Sequence, residues 1–91
     1  METVLIADDE QNIREGLKYI LDWKQIGFEI IGETANGDDT LSFILKQNPS
    51  LVLLDIRMPK MYGTEIIKIA RENGFKGKFI ILSGYSDFTY A

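Results

Sequence analysis

Leu51-Val52-Leu53-Leu54-Asp55-Ile56-Arg57-Met58-Pro59 decides the fold of this chain. Four apolar residues run into a single acid, and a Met-Pro turn closes the stretch. An apolar run this short, opened by Pro49-Ser50 and stopped by Pro59, predicts a strand buried on both faces. Asp55 stands at its carboxyl end, the edge at which open parallel sheets bind ligands. A lone carboxylate there is costly to desolvate, so it must answer a charge. The expectation is a magnesium ion and a phosphoryl group, with Asp55 as nucleophile. Taken alone, Asp55 reads more simply as a side-chain cap on the following turn.

Working outward, a second apolar run at residues 3–7 stops at Asp8-Asp9-Glu10 and predicts a buried strand. A helix over residues 10–21 follows, with Ile13, Leu17, Ile20 and Leu21 on one face and Asp9 as its cap. Residues 22–27 lead back to a strand over residues 28–34, whose acids Glu29 and Glu33 suggest an edge. Ala35-Asn36-Gly37 is a turn. Asp38 or Asp39 caps a helix ending near Gln47, with Leu41, Ile44 and Leu45 inward, and Asn48-Pro49-Ser50 stops it. Beyond the loop at residues 56–62, Gly63 starts a helix with Ile66, Ile67 and Ala70 buried, ending near Asn73-Gly74. Residues 79–82 predict a fourth buried strand, closed by Ser83-Gly84, and Ser86 caps the start of another helix. Strands alternating with helices predict an α/β domain, a parallel sheet with helices on both faces and right-handed crossovers.

Composition narrows the chemistry. The 91 residues suit one small domain and are 45% hydrophobic and 26% charged, an ordinary globular balance. A net charge of −4 argues against direct nucleic-acid binding through phosphates. There is no Cys and no His, so thiolate catalysis, histidine triads and soft-ligand metal sites are excluded. No apolar run approaches membrane-spanning length, and residue 2 leads straight into a strand. The expectation is a cytoplasmic protein without membrane attachment.

A parallel sheet brings three polar strand ends to one edge: Asp8-Asp9, Asp55 and Ser83-Gly84. Each has a plainer reading, as a helix cap, a turn cap and a turn. Their coincidence points to a site. Clustered carboxylates repel, and a hard divalent cation with oxygen ligands relieves that repulsion. A carboxylate can attack phosphorus to give an aspartyl phosphate. Ser83 could bond a phosphoryl oxygen, and Gly84 leaves room beside it.

The segments Val4-Leu5-Ile6-Ala7-Asp8-Asp9-Glu10, Leu51 through Pro59 with Gly63, and Ile80-Ile81-Leu82-Ser83-Gly84 resemble, in order and spacing, the receiver domain of two-component response regulators. The resemblance spans the whole chain. It implies a flavodoxin-like (CheY-like) doubly wound sheet of strand order 2-1-3-4-5. It implies that Asp55 accepts a phosphoryl group from a sensor histidine kinase, with Mg2+ held by Asp9 directly, Asp8 through water, Asp55 and the Arg57 backbone carbonyl. Ser83 and Gly84 would contact the phosphate, Ser83 moving to couple phosphorylation to the face around the fourth helix. The resemblance thus implies a phosphorylation switch whose site catalyses its own phosphorylation, not a turnover enzyme. The segment from Asp22-Trp23 to Glu33 and the ending Ser86-Asp87-Phe88 with Tyr90-Ala91 look like regulators carrying an arabinose-regulator-type (AraC-type) DNA-binding domain. DNA would then be reached only through an effector domain absent from this sequence, and a homodimer is compatible with this reading.

The sequence departs from the family pattern at Tyr62, where Asp or Asn commonly precedes the glycine. It also stops before the fifth strand, so the lysine that would pair with the phosphate has no counterpart among these residues. The expectation is a fragment of a longer protein, or a domain whose missing cover a partner supplies. Two readings compete. One is a magnesium-dependent phosphohydrolase with an aspartate nucleophile, weakly suggested by Asp8-Asp9-Glu10. The other is an unphosphorylated interaction module of the same fold. A nucleotide-binding domain lacks its Gly-rich phosphate loop.

Overall fold

A computed structural model describes residues 1–82. Its elements are β1 (Glu2–Ala7), α1 (Gln11–Tyr19), β2 (Phe28–Thr34), α2 (Gly37–Gln47), β3 (Leu51–Asp55), α3 (Gly63–Glu72) and β4 (Lys78–Leu82). The strands pair in parallel in the order β2-β1-β3-β4, the expected order for the first four. Ser83, Gly84 and the helix foreseen from Ser86 lie outside the described residues.

β1 and β3 carry the core because their apolar residues face both ways. Leu5, Ala7, Val52 and Leu54 pack with Ile44 of α2, Ile66 and Ala70 of α3, and Met58 and Phe75. Val4, Ile6, Leu51 and Leu53 form the opposite core, against half-buried Leu17, Trp23, Phe28 and Ile30. Fully buried side chains such as Leu5, Leu54 and Ile66 each contribute roughly 1.5–3 kcal/mol of apolar transfer. At the amino ends of the two strands, the Thr3 N–H donates to Ser50 Oγ at 3.1 Å and the Ser50 N–H donates to Thr3 Oγ1 at 3.0 Å. That reciprocal pair locks the register in which Ala7 lies beside Leu54. The next residue of each strand, Asp8 and Asp55, therefore emerges at the same level.

The first helix is shorter than its apolar periodicity suggested. It ends at Tyr19, so Ile20 and Leu21 fall beyond it and are exposed, as is Ile13. Leu17 is half-buried against the core, and its carbonyl accepts the Trp23 indole N–H at 2.9 Å. Trp23 then meets Phe28 edge-on, which turns the chain into β2. Asp9 makes no cap on α1; the N-cap is Glu10, without a side-chain bond. The α2 cap is Asn36, not Asp38 or Asp39: its side chain accepts the Asp39 N–H at 2.9 Å. An N-cap must precede the helix, and Asp38 and Asp39 already lie in its first turn, where acids favour the helix dipole. Leu45 is exposed rather than inward, while Ile44 is fully buried, with Leu41 and Phe43 packed beside the core. The fourth strand is not the buried strand expected. Ile80 is 51% exposed and Ile81 38%, because β4 is the edge of the sheet among the described residues.

Candidate functional site

Asp8 and Asp55 leave adjacent strands, and Asp9 follows in the turn before α1. One carboxylate oxygen from each of the three lies within 4.8 Å of the other two. Asp8 is buried, Asp55 half-buried and Asp9 exposed, so the cluster opens from the sheet edge toward solvent. Two unit charges at such a separation repel by about 3–4 kcal/mol at an effective dielectric of 20.

The turns that present these acids are made by the acids themselves. The Glu10 N–H donates to Asp8 Oδ1 at 2.9 Å, and the Arg57 N–H donates to Asp55 Oδ1 at 3.1 Å. Each carboxylate thus caps its own turn and also joins the cluster. The plain reading and the chemical one hold together, since a carboxylate has acceptor capacity for both.

The electrostatic cost shows in both acids. Burial pushes Asp55 up to about 6; the Arg57 N–H opposes this, and the charges of Asp8 and Asp9 add to it. Burial also raises Asp8, opposed by the Glu10 N–H and reinforced by the charges of Asp9 and Glu10, while Arg14 pulls it back. Carboxylates held together against their preference for protonation suit a cation. The donors are all hard oxygens, which fits Mg2+ or a similar ion.

Beside the cluster, a groove of about 620 Å³ is lined by Asp9, Arg57, Met58, Tyr62 and Thr64, among others. Tyr62 is the residue before α3 and is exposed. The loop between β3 and α3 is held at both ends: the Gly63 N–H donates to the Ile56 carbonyl at 2.8 Å and the Gly37 N–H to the Pro59 carbonyl at 3.0 Å. Within it Lys60 takes a left-handed conformation, φ 77°, uncommon for a residue with a side chain.

The structure therefore brings Asp8, Asp9 and Asp55 together and places Arg57 in the loop alongside. Ser83 and Gly84 lie outside the described residues. Sequence reasoning missed Arg14 and Lys18. Arg14 Nη1–H donates to the Asp8 carbonyl at 2.7 Å, and Arg14 Nε–H donates to Glu33 Oε1 at 3.1 Å. Lys18 pairs with the other Glu33 oxygen and with Glu15. Arg14 and Lys18 stand at i and i+4 of the same helix, a spacing that marks a shared face.

Comparison with known proteins places this geometry. The response regulator receiver domain family matches residues 4–91. The uncharacterized transcriptional regulatory protein YesN of Bacillus subtilis is 37% identical over 91 residues, covering the whole chain and 25% of that protein. Among solved structures, the REC domain of AraT, a response regulator from Geobacillus stearothermophilus, superposes with a TM-score of 0.90 at 36% identity, over 98% of this chain and 69% of that one. The response regulator TrrA of Thermotoga maritima, solved in complex with Mg(2+)-BeF, gives a TM-score of 0.81 at 37% identity, over 99% of this chain and 76% of that one. The chain spans only a quarter to about a third of the length of the curated relatives it matches. The family match over nearly every residue, the strand order and the acidic strand ends agree: this chain belongs to the receiver domains of two-component response regulators.

Proposed function

We propose that Asp55 is the phosphoacceptor of this receiver, charged by a sensor histidine kinase in the presence of Mg2+. The observation that carries the reading is the convergence of three carboxylates from two neighbouring strand ends within 4.8 Å. Asp8, Asp9 and Asp55, with the Arg57 backbone carbonyl, would hold the ion, which neutralises charge on the phosphoryl oxygens when bound. An Asp55 carboxylate oxygen attacks phosphorus. A new O–P bond forms, the P–N bond of the donor phosphohistidine breaks, and the departing imidazole takes up a proton. The Arg57 N–H steadies Asp55 Oδ1, which leaves the second oxygen for attack. Ser83 and Gly84 are assigned contacts with the phosphate, on the sequence pattern alone.

The output proposed is transcriptional, through an attached AraC-type DNA-binding domain. The regulator named for YesN supports this, as does the Asp22-Trp23 segment. A cytoplasmic location follows from a kinase partner that works there, and no helix among the described residues is long and apolar enough to cross a membrane. The test is mass mapping of the complete receiver domain, including the fifth strand and its lysine, after incubation with Mg2+ and acetyl phosphate. One phosphoryl group on Asp55, absent from Asp55→Asn, is expected. No adduct, or an equal adduct on the variant, overturns the assignment.

A further inference from the structure

We propose that Arg14 is a positioning residue for the acidic cluster, holding the backbone of Asp8 so that its carboxylate meets those of Asp9 and Asp55. This rests on the reading of the cluster as a cation site. Asp8 is fixed at three points. Its N–H donates to the Thr34 carbonyl of β2 at 3.0 Å. Its carbonyl accepts from Arg14 Nη1 at 2.7 Å, and its Oδ1 accepts the Glu10 N–H at 2.9 Å. The first and third bonds come from neighbouring backbone. The second comes from a side chain six residues along the chain, on α1, and it has an anchor of its own.

That anchor is Glu33, next to Thr34 at the end of β2. It accepts from Arg14 Nε at 3.1 Å with one oxygen and from Lys18 with the other. The Arg14 side chain is only 16% exposed, so its bonds are sheltered from water. The guanidinium is rigid and planar and donates in two directions at once. It therefore ties three elements together: α1, the end of β2, and the turn that carries Asp8 and Asp9. A lysine keeps the charge but has no planar fork to span Glu33 and the Asp8 carbonyl in this geometry.

The experiment is isothermal titration of the protein with MgCl2 alone, for wild type, Arg14→Lys and Arg14→Gln, with unfolding midpoints measured in EDTA. Supporting residues around metal ligands typically change affinity by tenfold or more, so Arg14→Lys is expected to weaken Mg2+ binding by roughly tenfold. Unchanged binding in Arg14→Lys, with tighter binding in Arg14→Gln, would mean that only the charge matters, and it overturns the proposal. Loss of stability in both variants with an unchanged Kd overturns it as well. Glu33→Ala provides a second route if Arg14→Lys does not fold: it removes the anchor and should also weaken the ion, and unchanged affinity there is equally fatal. If wild type itself binds no Mg2+, the cation-site reading fails first, and the Arg14 variants are then not the cause.

Discussion

Asp55→Asn should stabilise the metal-free protein while abolishing the phosphorylation proposed at Asp55. The substitution keeps an oxygen able to accept the Arg57 N–H (3.1 Å in wild type) and removes one charge from a crowded cluster. Asp55 is pushed from an ordinary 3.8 up to about 6. At 1.36 kcal/mol per pKa unit that difference is worth roughly 3 kcal/mol. Asp55 is only half-buried, and water screens part of the repulsion, so the gain in stability should be about 1–2 kcal/mol. The sign follows from linkage. A carboxylate whose folded pKa is raised binds more protons in the native state, so its ionisation costs stability as pH rises through the folded value. The advantage of Asp55→Asn is therefore full near pH 8, shrinks as pH falls through about 6 and vanishes below 3.8, the unfolded value. Urea unfolding in EDTA, followed by the fluorescence of Trp23, the only tryptophan, reads it directly. Mg2+ should stabilise wild type by about 1.4 kcal/mol at ten times its Kd and the variant much less. An Asp55→Asn protein no more stable than wild type at pH 8 would refute the account of the cluster as strained.

Gly37→Ala should cost about 1–3 kcal/mol by overpacking. A Cβ at that position would press on the Met61 Cβ and come within 2.6 Å of the Met61 carbonyl oxygen and 2.8 Å of its Cα. A loss below about 0.5 kcal/mol in denaturant unfolding would show that the loop gives way freely. Glu33→Gln tests the ion pairs on β2: Lys18, then Arg14, hold the Glu33 carboxyl below its ordinary range against partial desolvation. That contribution is present above the ordinary carboxylate pKa and lost as pH falls through the lowered one. The stability difference between wild type and Glu33→Gln should therefore be largest at neutral pH and close on acidification, and a difference that stays constant down to pH 3 would contradict it.

The architecture was legible because each strand is a short apolar run ended by a polar residue, and alternation with helices leaves few topologies. Asp8, Asp9 and Asp55 could be brought to one edge from that pattern alone. Other features were hidden for definite reasons. Arg14 looks like any charge on a solvated helix face, and its partner Glu33 is 19 residues away, so only the fold reveals the pair. The cap of α2 is expected at Asp38 or Asp39 because acids commonly cap, and the geometry puts it at Asn36, one residue before the helix. Ile20 and Leu21 extend the apolar period of α1, but tertiary contacts of Trp23 end the helix before them. Residues 79–82 read the same whether a strand is central or at an edge, and exposure of Ile80 and Ile81 depends on neighbours that composition does not encode.

The two-sided burial of β1 and β3 also sets a timescale. Strands whose side chains are locked in both cores exchange their amide protons only when the whole domain opens, whereas edges and loops open locally. Asp8 and Asp55 thus stand at the ends of the two strands expected to open last. The loop at residues 56–62 follows directly on Asp55. There Lys60, at φ 77°, stores about 1–2 kcal/mol of backbone strain, and the Gly37–Pro59 bond links the loop to α2. Residues 56–62 thus tie the carboxyl end of β3 both to α2 and, through Gly63 and Ile56, to the start of α3.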